Sequence, residues 1–275
     1  MKIRITSDST CDLDRQNIEK YNIGILPLSV ILGDERIYRD GIDLTPQNIF
    51  DYVAETGKLP KTCASSVEEY TEGFEKNLEG YDALIHFNIS SKASSSYFNA
   101  VKAAEEFGGK VIAVDSHALS TGQGLLILKA CEMAEAGMSP EQIAQAVNAL
   151  RPKVNTSFEP DSLDYLHKGG RCSLASLIGA KVLRLHPMIE MRDGQLMATK
   201  KYVGSMDRCL SNYINDLAAE YPDYDKSRCF ITHSHCEPET VGKVRAIVKE
   251  KFEFEEIIET LAGSIITSHC GKGTL

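Results

Sequence analysis

No tryptophan, no CxxC pair, no dense basic run and no long apolar stretch occur in these 275 residues. The missing Trp says nothing about function. Without CxxC, the eight cysteines (Cys11, Cys63, Cys131, Cys172, Cys209, Cys229, Cys236 and Cys270) are scattered and read most simply as reduced thiols. The longest apolar run, Gly124-Leu-Leu-Ile-Leu128, is far too short for a bilayer span, and Met1–Thr10 has no signal-peptide core. Both lead us to expect a cytoplasmic protein. The 30 Lys and Arg are outnumbered by 39 Asp and Glu, for a net charge of −9, the wrong sign for a protein that grips nucleic-acid phosphates. The composition is 43% hydrophobic and 25% charged, which excludes a disordered chain, collagen, a coiled coil and a small disulfide scaffold.

Several catalytic signatures are missing too. There is no GxxxxGK[ST]; Gly122-Gln-Gly124 lacks the third glycine of a dinucleotide fingerprint, and Gly169-Gly170-Arg171 follows a helix, not a strand. Nucleotide binding is therefore not expected. GxSxG is absent, which argues against a serine hydrolase with a nucleophile elbow.

What is present is an alternation of strands and helices. Lys2–Thr6, Ile25–Leu32, Ala83–Ile89 and Val111–Val114 read as strands. Helices follow to about Tyr21, from Thr45-Pro46 to Glu55, from Ser65-Ser66-Val67-Glu68 to Leu78, over Tyr97–Phe107, near Gly124–Ala136, and from Ser139-Pro140 to Leu150. Apolar strands separated by helices imply an α/β arrangement, a mostly parallel, Rossmann-like sheet with helices on both faces. After about residue 155 the pattern changes. Short helices over Asp161–Lys168 and Ser173–Lys181 precede a hairpin, Met188–Arg192 and Gln195–Lys200 around Asp193-Gly194. A helix from Met206 to Glu220, a strand at Cys229–Ser234, a helix from Glu237 to Lys251 and a final strand around Ser264–Ser268 complete an α+β unit with an antiparallel sheet. At roughly 100–200 residues per domain, two domains are expected, 1–155 and 156–275, with a cleft between them to which the final strand and His269 return.

Three strands end in small polar residues: Ser7-Asp8-Ser9, Ser90-Ser91 and Asp115-Ser116. In an open α/β sheet these should gather along one rim, at the carboxyl ends of the strands. Two hydroxyl clusters, Thr62–Ser66 and Ser90–Ser96, sit where helices begin. Free N–H groups and hydroxyls there could hold an anion such as a carboxylate, or simply cap the helix, and the residues alone leave both open. Ser94 with His269 could form an esterase or acyl-transfer pair. His233 and His235 share a strand face beside Cys236, without further ligands at metal-site spacing. His86, between Ile85 and Phe87, reads as a core or edge histidine.

Five motifs in order carry a further reading: Ile5-Thr-Ser-Asp-Ser9; Asn88-Ile-Ser-Ser91; Val114-Asp-Ser116 with Ser120-Thr-Gly-Gln-Gly124; Tyr165-Leu-His-Lys-Gly-Gly-Arg171; and Leu261-Ala-Gly-Ser-Ile-Ile-Thr-Ser-His-Cys-Gly-Lys-Gly273. Over nearly the whole chain the sequence resembles the DegV family. The resemblance implies a two-domain α/β protein that is not itself an enzyme and binds a long-chain fatty acid such as palmitate between its domains. Some members are the carrier component of a bacterial fatty acid kinase, so a separate kinase that phosphorylates the carboxylate is an implied partner. By the same resemblance Thr62, Ser94 and His269 hold the carboxylate and Arg171 serves a partner or the mouth of the site. No cofactor or metal is implied beyond the bound acid. The energetics are sensible: about fourteen buried methylenes at ~0.8 kcal/mol each give on the order of 11 kcal/mol gross. The head group then needs only enough hydrogen bonds to offset its desolvation.

The chain departs from the family pattern in places. Thr62-Cys-Ala-Ser-Ser66 stands where Thr-Ser-x-Pro-Ser is common, and Ala93-Ser-Ser-Ser-Tyr97 where Leu-Ser-Gly-Thr-Tyr is common. A basic Lys-x-Arg becomes Lys201-Tyr202-Val203, which removes a charge associated with handover to the kinase. His-x-Gly-Pro-Gly becomes His269-Cys-Gly-Lys-Gly273.

Overall fold

The structure is a computed structural model that describes residues 1–33, 36–171 and 185–275. The expected helix over Ser173–Lys181 lies outside the described residues, as does Cys172. In chain order the described elements begin with β1 (Ile3–Asp8), α1 (Arg15–Lys20), β2 (Gly24–Leu26), β3 (Ser29–Leu32), β4 (Arg36–Arg39), α2 (Pro46–Thr56) and β5 (Lys61–Cys63). Next come α3 (Val67–Leu78), β6 (Ala83–Asn88), α4 (Ser96–Ala104), β7 (Val111–Asp115), α5 (Ser120–Glu135) and α6 (Pro140–Leu150). The remainder comprises β8 (Ser157–Phe158), α7 (Asp164–Gly169), β9 (Leu185–Arg192), β10 (Gln195–Val203), α8 (Met206–Glu220), β11 (Arg228–His233), α9 (Pro238–Lys251), β12 (Glu256–Leu261) and α10 (Ser264–Cys270).

The first sheet is wholly parallel, in the order β2-β1-β6-β7, with Ile5 opposite Ile85 and Phe87 opposite Val114. Its inner strand β6 is buried at every position, as a strand covered on both faces must be. Ile85 and Phe87 face a core shared with Leu126, Ile127, Ile143 and Val147 of α5 and α6. Leu84 faces the opposite core, with Tyr70 and Phe74 of α3 and Ala100 and Ala103 of α4. The expected polar rim forms at the carboxyl ends. Asp8 Oδ2 accepts from Ile89 N at 2.8 Å, Asp115 Oδ1 from Ser91 N at 3.1 Å, and Gln123 Nε2 donates to Ser7 Oγ at 2.8 Å.

Three expectations change. The apolar run Ile25–Leu32 is two strands in two sheets, because Pro27 has no N–H to continue the parallel ladder. Past it, β3 lies between β4 and β5 in an antiparallel sheet that the sequence pattern did not reveal. The capping box at α3 joins Ser66 and Glu69, one residue later than Ser65 and Glu68. Finally, Ser264–Ser268 is helix α10, not a strand; the last strand is β12, which pairs in parallel with β11. β-branched Ile265, Ile266 and Thr267 mimic a strand, but tertiary contacts override that propensity. Asp12 and Asp40 accept from Gly263 N and Ser264 N, and Ser268 Oγ donates to Ser264 O. The hairpin is as expected: β8, β9 and β10 form an antiparallel sheet, and Asp193 and Gly194 both take positive φ, 49° and 80°, at the turn. Among the described residues no helix is long and apolar enough to cross a membrane.

His86 is wholly enclosed between the β6 backbone and the rings of Tyr70 and Phe74, and burial pushes its pKa down to about 3. At pH 7 the folded chain is unprotonated there, and the unfolded chain, at the ordinary histidine pKa of about 6.5, is only about a quarter protonated. As the pH falls to 5 only the unfolded chain takes up the proton, which withdraws about 2 kcal/mol of stability. Whatever its constant cost, His86→Gln should therefore lose about 2 kcal/mol less than the wild type between pH 7 and pH 5. Urea unfolding at both pH values measures this, and parallel pH dependences would contradict it.

Candidate functional site

Four segments bring the sequence-derived residues to one pocket. Thr62 is the middle residue of β5, opposite Val30 of β3. Ser94 lies in the loop between β6 and α4, Arg171 just beyond α7, and His269 in the last turn of α10. All four line the same pocket, whose remaining wall is largely apolar, with Leu28, Ile89, Leu119, Leu196, Ile265 and Ile266. Thr62 is thus presented by a strand; within its cluster only Ser66 starts a helix.

The Ser94 loop is held at several points. Its first residues hang from Asp8 and Asp115 through the Ile89 and Ser91 amides, and Ser90 Oγ donates to Gly194 O in the β9–β10 turn at 2.7 Å. Ser94 Oγ accepts from Ser96 N at 3.2 Å and pairs with Ser96 Oγ at 2.9 Å. The rim carboxylates therefore orient a hydroxyl-bearing loop.

His269 joins the two sides of the pocket. Its Nε2 shares a hydrogen bond of 2.9 Å with Thr62 Oγ1, while its Nδ1 is buried without a partner among the described residues. Burial, with a smaller push from the Arg171 charge, lowers its pKa to about 4, so the imidazole is neutral at pH 7. Arg171 is exposed and its Nη1 donates to Gly169 O at 2.8 Å. The pocket thus offers two hydroxyls, a neutral imidazole and one guanidinium at its edge, over an apolar floor. A carboxylate is the chemical class that such a set of donors fits.

Two other arrangements weighed from the sequence take a different form. Ser94 bonds Ser96 whereas His269 bonds Thr62, so no serine–histidine nucleophile pair is formed, and a histidine with a pKa of about 4 is a poor general base at neutral pH. His233 accepts from Cys236 N through Nδ1 and turns Nε2 toward Glu259 at 3.6 Å, while His235 packs edge-on against Phe50. β11 ends at His233, so His235 lies beyond it and the two do not share a strand face; His235 Nδ1 is buried without a hydrogen-bond partner among the described residues. Sequence reasoning missed Cys63, Ile265 and Ile266 in the pocket wall, because the wrong element was assigned to 264–268 and β5 was not recognised.

The described residues enclose about 50 Å3 in this pocket. An apolar cavity of about 150 Å3 takes a single benzene, so the space resolved here holds a head group but no long chain.

Comparison with known proteins identifies the family. The DegV family model, described as uncharacterised protein, matches residues 2–275. A curated Thermotoga maritima protein named fatty acid-binding protein is 30% identical over 281 residues, covering 100% of this chain and 96% of its own. A DegV family protein from Thermus thermophilus, whose structure is described as fatty acid binding, is 30% identical with a TM-score of 0.90 and covers 100% of this chain and 97% of its own. A stearic acid-binding protein from Eubacterium ventriosum is 27% identical with a TM-score of 0.87, covering 99% and 96%.

The Gly169-Gly170 pair has a steric explanation. A Cβ on Gly169 would lie 2.7 Å from His269 Nδ1, and Gly170, at φ 68°, ends α7 in the left-handed region. Gly169→Ala should therefore displace the imidazole and cost about 1–3 kcal/mol by overpacking. Gly242→Ala, on the exposed face of α9 with open space around it, should stabilise by about 1 kcal/mol. Denaturant unfolding of the two variants measures the contrast, and equal effects would contradict it.

Proposed function

Because the chain belongs to the DegV family, we propose that it binds a long-chain fatty acid, with the carboxylate among Thr62, Ser94 and His269 and with Arg171 at the mouth. The observation that carries the reading is the convergence of these donors, from four separated segments, on one pocket with an apolar wall. The wall draws on both parts of the proposed division near residue 155: Leu28, Ile89 and Leu119 from one side, Leu196, Ile265 and Ile266 from the other. This supports an acyl site between two domains. Relatives described as binding fatty acids, stearic acid among them, support the same ligand class.

The described residues enclose about 50 Å3, so a sixteen-carbon chain extends beyond the space they enclose. The gross driving force is about fourteen methylenes at ~0.8 kcal/mol each. The protein acts as a cytoplasmic carrier and not as a catalyst; chemistry at the carboxylate falls to a separate kinase. Val203, exposed on β10, replaces the basic residue expected there, so the docking of such a kinase would rest on Arg171 and Lys201.

Thr62→Ala or Ser94→Ala should weaken palmitate binding by about 1–3 kcal/mol, by leaving a buried head group short of a donor. Displacement of a fluorescent fatty acid measures this. Unchanged affinity in both variants would place the carboxylate elsewhere.

A further inference from the structure

Helix α10 carries His269, and apart from His269 itself each of its residues is buried, its first turn included. The N–H groups that open a helix have no acceptor within it, so a buried start must find acceptors elsewhere. Two carboxylates distant in sequence supply them. Asp12 Oδ1 accepts from Gly263 N at 2.8 Å, and Asp40 Oδ1 accepts from Ser264 N at 2.9 Å. Both aspartates are buried, 7% and 4% exposed.

The arrangement is costly beyond what capping needs. Asp40 Oδ2 is buried with no hydrogen-bond partner among the described residues. Asp12 takes a positive φ of 49°, as does its own partner Ser120 at 50°, whose Oγ donates to Asp12 Oδ2 at 2.6 Å. Neither is glycine, so both positions are strained. Burial pushes Asp12 up to about 8, with Asp40 and Asp8 adding to the rise. Strain and unsatisfied polar groups collected at one place mark a geometry held for a purpose other than stability. The element held is the one that sets His269 opposite Thr62. His269 is five positions beyond Ser264, about 7.5 Å along a helix, so a tilt of about 10° at the first turn moves the last turn by roughly 1 Å.

We propose that Asp12 and Asp40 are positioning residues for carboxylate recognition, fixing the first turn of α10 and through it the His269–Thr62 contact. This rests on the fatty-acid reading above. The test compares affinities for palmitate and for hexadecanol, which has the same tail without the carboxylate, in wild type, Asp40→Ala, Asp40→Asn, His269→Ala and the Asp40→Ala/His269→Ala double variant. Asp40→Ala should weaken palmitate about tenfold and change hexadecanol by less than about twofold, while Asp40→Asn, which keeps an acceptor for Ser264 N, should restore most of the loss. In the double variant Asp40→Ala should add nothing to His269→Ala. Equal losses for the acid and the alcohol, or additive losses in the double variant, would overturn the proposal.

Should Asp40→Ala not fold, Gly263→Ala serves in its place. Its Cβ would lie 3.1 Å from Asp12 Oδ1 and 3.3 Å from Asp40 Oδ2, pressing on both carboxylates without removing either, and it should give the same loss confined to the acid. If the wild type binds no palmitate, the functional reading itself fails; if His269→Ala binds palmitate as tightly as the wild type, the carboxylate lies elsewhere and the positioning role fails with it. If His269→Ala weakens palmitate but neither Asp40→Ala nor Gly263→Ala does, only the positioning role fails.

Discussion

The buried amides at the start of α10 impose the constraint on which the site depends. A seven-residue helix has little stability of its own, and this one sits with its hydrogen-bonding groups out of reach of water. It survives because Asp12 and Asp40 reach in from the first part of the chain, while Ile265 packs with Leu28, Val30, Leu44 and Ile49 and Ile266 packs with Ile89, Leu119 and Leu166. One short element is thus wedged between two apolar clusters, and its last turn delivers His269 to Thr62. Glycine at 169 lets α7 approach the same imidazole closely.

The division of labour in the proposed complex follows from magnitudes. The acyl chain supplies nearly all of the favourable free energy, and the head-group residues keep the carboxylate from losing its hydration without compensation. Hydroxyls and a neutral imidazole suffice for that. Arg171 adds a charge at the edge, where water screens it, so it would favour capture of an anion without trapping it. A site of this kind would bind and release a fatty acid, and in it Ser94 is hydrogen-bonded to Ser96 and His269 to Thr62, not to each other.

The α/β pattern, the parallel sheet and the hairpin were legible because they rest on local signals: buried runs of the right length, capping residues, and Asp193-Gly194 at a turn that requires positive φ. The pairing of Thr62 with His269 was reachable only through family resemblance, since 207 residues separate them and no local pattern links them. α10 was misread because Ile265-Ile266-Thr267 is a strand-like sequence, and the carboxylates that hold it helical are more than 220 residues away. The β3–β4–β5 sheet was missed because its strands are three or four residues long, too short to show an alternation. For α10 and for the Thr62–His269 pair the deciding interaction is long-range, which composition and periodicity do not record.

The most direct test of the account is organic extraction of the freshly purified protein followed by mass spectrometry, before and after incubation with palmitate. The account predicts a long-chain fatty acid in near-stoichiometric amount, unmodified and carried in from the host or taken up on incubation. Protein that yields no acyl species and retains none of the added palmitate would contradict it.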